Sequence, residues 1–329
     1  MIDEKLLSLG ASRYGMQKSD LKLVGGFSDN VFECDNGRDS FILKFYLSST
    51  YEKSAIELEL DWILYLHQSG MKVTAPIASS HGNLLEVVEM SNKEQCWIIA
   101  FEKAKGKFVN VSDKRDWNTN TFYLWGKTLG KIHSLSKQFE PKTYKRSWNS
   151  ESLFLEENDV SEEIKCKWNK YINELEKLPK DENSYGMIHH DLHHKNFYLY
   201  EQDIILFDFG DFVYHWFVYD IAIVLYHALQ TVSDDNVRER EDFAIVFLRS
   251  FLNGYTRENR LDPQWLLKIP FLLTFRQIYS YMYFSKYLSE EQRNNGKTRE
   301  ILNNMKAKIE SDISFIDLQI DRIVEDYSC

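Results

Sequence analysis

The stretch 187–199, MIHHDLHHKNFYL, packs four histidines around a single aspartate. His189, His190, His193 and His194 recur at i and i+4, so on a helix they would form two pairs of imidazole ligands for a metal ion. The same letters also read His189-x-Asp191-x-x-x-x-Asn196, a spacing used in phosphoryl transfer. The stretch alone leaves both readings open, and the rest of the chain has to choose. Nothing near it completes a tetrahedral set of Cys and His ligands. Cys34, Cys96, Cys166 and Cys329 are scattered, with no CxxC pair.

A chain of 329 residues is long enough for two lobes, and 43% hydrophobic with 15% aromatic residues is ample material for a packed core. The net charge of −10 argues against a general nucleic-acid binder, which needs a basic surface. The start, MIDEKLLSLG, lacks the basic start and long apolar stretch of a secretory signal. The most apolar stretch, WFVYDIAIVLYHAL at 216–229, is interrupted by Asp220 and is shorter than the ~20 residues of a membrane span. These features point to a soluble cytoplasmic protein with reduced thiols and with neither a nucleic-acid nor a membrane partner. They say nothing of its oligomeric state.

The first hundred residues read as a small sheet with one main helix. LKLVGG, NVFECD and DSFILKFYL are short β-rich runs separated by turn residues, as in a meander. A helix follows, expected to start at Ser49/Thr50, to bury Ile56, Leu60 and Ile63, and to close at Gly70. NLLEVVEM and EQCWIIAFE read as two more strands. Beyond about Lys103 the texture turns helical. TFYLWGKTLGKIHSLS carries Gly126 and Gly130, small enough for close helix contact, and Ile301, Met305, Ile309, Ile313 and Ile316 form a stripe expected to be buried. The expected class is α+β, bilobal, with a β-rich nucleotide-binding lobe over 1–103 and a larger helical catalytic and substrate-binding lobe over 104–329.

Twelve residues past Asn196, the β-rich run IILFDFGDF carries Asp208-Phe209-Gly210, able to deliver a carboxylate to a metal ion. Transfer of a γ-phosphoryl group depends on positioning and on Mg²⁺, which prefers hard oxygen donors. In that scheme Asp191 orients the acceptor hydroxyl or takes its proton, while Asn196 and Asp208 hold the metal. The scheme also requires partners upstream. Lys44 lies mid-strand in FILKFY, an expensive place for an unpaired ammonium. Glu59 is its best partner, because Trp62, Ile63 and Leu66 follow on one helix face; Glu57 is the alternative. Gly25, Gly26 and Ser28 form a turn that either covers phosphates with backbone N–H groups or is a plain hairpin.

With these residues in place the chain resembles the aminoglycoside phosphotransferase/choline kinase family, whose fold is similar to that of protein kinases. HHDLHHKN resembles the family's catalytic loop, with His190 where glycine is usual, and FDFGD its metal-binding strand end. WGKTLGKIHSL, ELDWILYLHQSGMKVTAPI and WFVYDIAIVL resemble its other landmarks, and the resemblance spans about residues 20 to 290. It implies ATP and Mg²⁺ as cofactors, Asp191 as base, Asn196 and Asp208 as metal ligands, and Lys44 on the α- and β-phosphates paired with Glu59. It further implies His189 as a structural anchor, Asp220 as a brace of the catalytic loop, and His193 in orienting the γ-phosphate. His190, His194 and Lys195 receive no role.

Only twelve residues separate Asp208 from Asp220, too few for a long peptide-docking segment, which favours a small-molecule hydroxyl as acceptor. Asp211, His215 and Trp216 lie where they can reach it. Arg276, Tyr279, Ser280 and Tyr283 share one helix face that either lines a substrate pocket or packs. The acceptor classes left open are an aminoglycoside, an amino-alcohol, a choline- or homoserine-like alcohol, or a sugar. The rival readings are a protein Ser/Thr kinase, which phosphopeptides would reveal, and a pseudokinase or scaffold that binds Mg-ATP without transferring phosphate.

Overall fold

The computed structural model describes residues 2–26, 29–90, 93–142, 145–150, 152–155 and 160–328. The chain opens with α1 (Glu4–Ser12), β1 (Leu21–Gly25), β2 (Val31–Asp35), β3 (Ser40–Leu47) and α2 (Lys53–Gln68). Next come β4 (Pro76–Ile77), β5 (Glu86–Glu89), β6 (Gln95–Glu102), β7 (Lys107–Phe108), α3 (Thr119–Ser136), α4 (Ser152–Leu155) and α5 (Glu162–Glu176). The middle holds β8 (Tyr185–Ile188), β9 (Phe197–Tyr200), β10 (Asp203–Leu206), β11 (Val213–Trp216) and α6 (Phe217–Leu229). The chain then continues through α7 (Val237–Tyr255), α8 (Pro263–Leu266), α9 (Ile269–Tyr287), α10 (Glu290–Asn294), α11 (Gly296–Glu310) and α12 (Ile320–Ser328).

These elements condense into two compact units. One comprises Met1–Phe108, Phe139–Lys145 and Asn196–Gly210; the other comprises Val109–Gln138, Arg146–Lys195 and Asp211–Cys329. The first is built on an antiparallel sheet ordered β1-β2-β3-β6-β4, with β5 also paired to β6. β1, β2 and β3 form the expected meander, and β3 lies inside the sheet, with Lys44 opposite Val31 on one side and Ile99 on the other. Alternation along β3 sends Phe41, Leu43 and Phe45 into a core shared with Leu6, Phe32 and Ile98. The α2 helix ends as expected at Gly70: its φ of +79° permits bonds from Gly70 N–H to the His67 carbonyl and from Met71 N–H to Leu66. Its start differs. The Thr50 and Tyr51 N–H groups donate to the Leu47 carbonyl in a turn off β3, and the extended Glu52 (φ −97°, ψ 136°) separates that turn from a helix beginning at Lys53.

The β9–β10 hairpin belongs to this first unit because it is stitched to the segment after α2. Leu206 N–H donates to the Lys72 carbonyl, Thr74 N–H donates to the Leu206 carbonyl, and Lys72 pairs with Asp203. β7 adds a third strand, placing Phe108 edge-on against Tyr198.

The second unit is helical apart from the β8–β11 pair. Its central helix, α6, is buried from Phe217 through Tyr226, as a helix apolar on all sides must be. α3 and α7 cross closely through their glycines. A Cβ on Gly126 would fall 1.8 Å from the Phe251 carbonyl oxygen, and one on Gly130 would fall 2.5 Å from that of Tyr255. The isoleucine stripe is not one face: α11 stops at Glu310, and Asp312 turns the chain at φ +52°. Ile309 and Ile316 are buried while Ile301 and Ile313 are exposed. No helix among the described residues is long and apolar enough to cross a membrane. Cys34, Cys96 and Cys166 are free thiols.

Candidate active site

In the first unit Lys44 Nζ lies 2.9 Å from Asp208 Oδ1 and 3.9 Å from Glu59 Oε1. Burial works against the ammonium, but Asp208 and Glu59 outweigh it and hold the Lys44 pKa well above its ordinary value. Glu59 is itself buried and accepts the Tyr46 hydroxyl at 3.1 Å. Glu57 instead faces solvent and pairs with Lys53, one turn back, at 3.1 Å. The helix face therefore decides between the two carboxylates, in favour of Glu59.

Asn196 and Asp208 both lie at the same end of the β9–β10 hairpin. Phe197 pairs with Leu206, so the residues just outside this pair emerge at one end, where Phe207 N–H donates to the Asn196 carbonyl at 3.2 Å. Asp208 takes a left-handed φ of +62° and leaves about half of its carboxylate exposed. At Gly210 a Cβ would approach Lys44 Nζ to 3.2 Å, so the glycine keeps that space open. A carboxylate and a carboxamide are hard donors that suit Mg²⁺ or Ca²⁺. Among the described residues no three His, Cys, Asp or Glu side chains gather as a metal-holding group. Gly25 ends β1, and the Gly26 carbonyl, in a residue at φ +93°, accepts the Asp29 N–H; Phe27 and Ser28 lie outside the described residues.

In the second unit β8 delivers the loop that carries Asp191. Asp220, fully buried on α6, accepts the His189 N–H at 2.9 Å, the His190 N–H at 3.0 Å and His133 Nε2 at 3.2 Å. Burial would raise the Asp220 pKa, but His133 and the backbone donors bring it below the ordinary carboxylate value. The His133 imidazole is pushed down by burial against the pull of Asp220. His190 sits at φ +70° with its ring buried near His215, Tyr219 and Tyr279. The left-handed backbone explains why glycine suits this position and gives His190 a place: it carries the strained link immediately before Asp191.

Three basic side chains reach Asp191: His193 Nε2 at 3.4 Å from Oδ2, His227 Nε2 at 3.4 Å from Oδ1, and Arg276 Nη2 at 3.2 Å from Oδ1. Burial opposes them, yet His193 and His227 hold the carboxyl well below its usual range. His227 was not among the sequence candidates. It lies two turns after Asp220 on α6, on the same helix stripe, and that spacing was the available signal. Arg276 and Tyr279 are buried on α9, the guanidinium 5.2 Å over the Tyr279 ring, and Tyr283 stacks beyond them half-buried. Asp211 is exposed, whereas His215 and Trp216 are core residues of β11 and do not reach outward. His215 Nδ1 accepts the Trp216 N–H and Trp216 Nε1 donates to the Pro179 carbonyl. His194 packs edge-on against Trp117, its pKa pushed down to about 4 by burial.

A sheet-borne lysine–glutamate pair, an Asn/Asp hairpin end and a braced aspartate loop are the parts of a kinase-like phosphotransferase. The model of the phosphotransferase enzyme family (APH) matches residues 20–259, and the chain belongs to that family. It is 34% identical over 289 residues to the amicoumacin kinase of Bacillus subtilis (strain 168), a match covering 85% of this chain and 84% of that one. The structure of an amicoumacin kinase in complex with AMP-PNP, Ca²⁺ and Ami is similar at TM-score 0.88 and 30% identity, over 98% of this chain and 97% of that one. The microcompartment-associated aminopropanol kinase shares the fold at TM-score 0.72 and 18% identity, over 95% and 99%. The protein is thus a small-molecule kinase whose acceptor group is a hydroxyl, and its family implies a nucleotide and a divalent metal.

Proposed function

We propose that this enzyme transfers the γ-phosphate of ATP, with Mg²⁺, to a hydroxyl of amicoumacin or a close analogue. The observation that carries this is the reach of the similarity to an amicoumacin kinase structure, 98% of this chain. It takes in α9 through α12, which lie beyond the family model's last residue, 259.

Lys44, held by Glu59, binds the α- and β-phosphates, and the Gly25–Gly26 turn, with Ser28, offers N–H groups to the phosphates. Asn196 and Asp208 would hold the divalent ion, which when bound neutralises charge on the β- and γ-phosphates. Asp191 orients the acceptor hydroxyl. With His193, His227 and Arg276 around it the carboxylate is a weak base, so it fixes the hydroxyl in line and receives the proton late, which suits a loose transition state. His193 supports Asp191, His189 anchors the loop through the Asp220 brace, and Asp211, Arg276, Tyr279 and Tyr283 serve the acceptor side.

The test is incubation of amicoumacin with Mg-ATP and enzyme, reading ADP and singly phosphorylated amicoumacin by mass spectrometry. Asp191→Asn should lose about 10²–10⁴-fold in kcat while still binding AMP-PNP. Intact Mg-ATP binding with no phosphorylated amicoumacin would refute the acceptor. A loss well below tenfold in folded Asp191→Asn would refute the role of Asp191.

A further inference from the structure

The basic residues around Asp191 bear on which hydroxyl compounds the enzyme accepts. His193 accepts the Lys195 N–H at Nδ1 (3.1 Å), which leaves its proton on Nε2, facing Asp191 Oδ2. On the other oxygen, Arg276 Nη2 and His227 Nε2 crowd together, 3.4 Å from each other. Arg276 is more than nine-tenths buried, and its Nε has no hydrogen-bond partner among the described residues. A buried guanidinium N–H lacking an acceptor is costly, so Arg276 stands beside Asp191 with hydrogen-bonding capacity unspent.

A hydroxyl brought to Asp191 carries its neighbouring substituent to this guanidinium. An oxygen one carbon away meets a strong, directional donor. An ammonium one carbon away meets a buried cation, and the nearest carboxylate, Asp191, is already engaged by three basic groups. The geometry points to Arg276 as the residue that selects the acceptor: it binds a carbonyl or hydroxyl oxygen beside the phosphorylated hydroxyl, favouring α-hydroxy carbonyl compounds and vicinal diols over β-amino alcohols. This rests on Asp191 orienting the acceptor hydroxyl, as proposed above.

Lactamide, propylene glycol and isopropanolamine test it directly, because they differ in the group beside the same secondary hydroxyl. With Mg-ATP and wild-type enzyme, kcat/KM for the first two should exceed that for isopropanolamine by about tenfold or more. Arg276→Gln should raise the acceptor KM, leave the ATP KM unchanged and bring the ratio towards one. Arg276→Lys, which keeps the charge without the fork, should fall between. Isopropanolamine accepted as well as lactamide, turnover of none of the three, or an Arg276→Gln enzyme that keeps the wild-type ratio would each overturn the assignment. The wild-type ranking stands even if a variant fails to fold. Amicoumacin assayed in parallel separates the two proposals: no phosphorylated amicoumacin with a preserved lactamide preference refutes only the acceptor identity, and the reverse pattern refutes only the role of Arg276.

Discussion

His190 offers a sign test of the strained loop. Its φ is +70°, its N–H is held by Asp220 Oδ1 at 3.0 Å, and its ring is buried near His215, Tyr219 and Tyr279. His190→Ala and His190→Gly delete the same ring, so that loss cancels between them. Alanine keeps the left-handed penalty, about 1–2 kcal/mol for a residue with a Cβ. Glycine has no such penalty but gives the unfolded chain about 0.5–1 kcal/mol of extra freedom. The glycine variant should therefore be the more stable by about 0.5–1 kcal/mol, the reverse of the order found within helices. Relaxation of the alanine variant towards negative φ would break the Asp220 bond and move Asp191, and a misplacement of about 1 Å can cost 10²-fold in rate. Urea unfolding with matched m-values, together with kcat, reads both effects. An alanine variant as stable and as active as the glycine variant would refute the claim that position 190 is held left-handed.

Other residues give equally direct tests. Glu59→Gln should raise the KM for ATP by releasing Lys44, whereas Glu57→Gln, at an exposed pair, should change stability by no more than about 0.5 kcal/mol and leave kinetics alone; equal kinetic effects would refute the Lys44 pairing. Gly126→Ala, ordinarily stabilising within a helix, should instead destabilise by about 1–3 kcal/mol or more, because its Cβ meets the Phe251 carbonyl; a raised melting temperature would contradict the α3–α7 crossing. His215 is pushed well below the ordinary histidine value by burial and neighbouring His190, so the folded state keeps it neutral. Its contribution is complete above the unfolded pKa of about 6.5 and is lost as pH falls below it, at about 1.4 kcal/mol per pH unit. Between pH 6 and 5, His215→Phe should flatten the fall in unfolding free energy by up to that slope, and an unchanged slope would show that the folded protein already protonates His215.

Much of this protein follows from local rules that act within a few residues. Alternation placed Lys44 mid-strand among core residues, helical spacing chose Glu59 over Glu57, and the order Lys44, Asp191, Asn196, Asp208 pointed to phosphoryl transfer rather than a metal cage. Gly70 and the glycines of α3 were legible because a left-handed cap and a close helix crossing each demand a missing side chain. What escaped the sequence lies in the turns the backbone takes between elements and in packing between distant residues. The α2 start moved because the chain leaves β3 in a turn and Glu52 is extended, so helical backbone begins only at Lys53. The isoleucine stripe broke where the backbone turns at Asp312, and His215, polar by letter, proved to be core.

The chemistry around Asp191 shows the same division. Sequence supplied the carboxylate, His193 and the Asp220 brace. Only the tertiary structure brought His227 from α6 and Arg276, 85 residues away, onto Asp191, and showed the left-handed turn at His190. It also assigned Asn196 and Asp208 to the sheet-bearing unit, through backbone bonds between β10 and the segment after α2. Periodicity can report which face of an element is buried; which group from elsewhere in the chain fills the space against it is set by packing and charge among residues far apart in sequence.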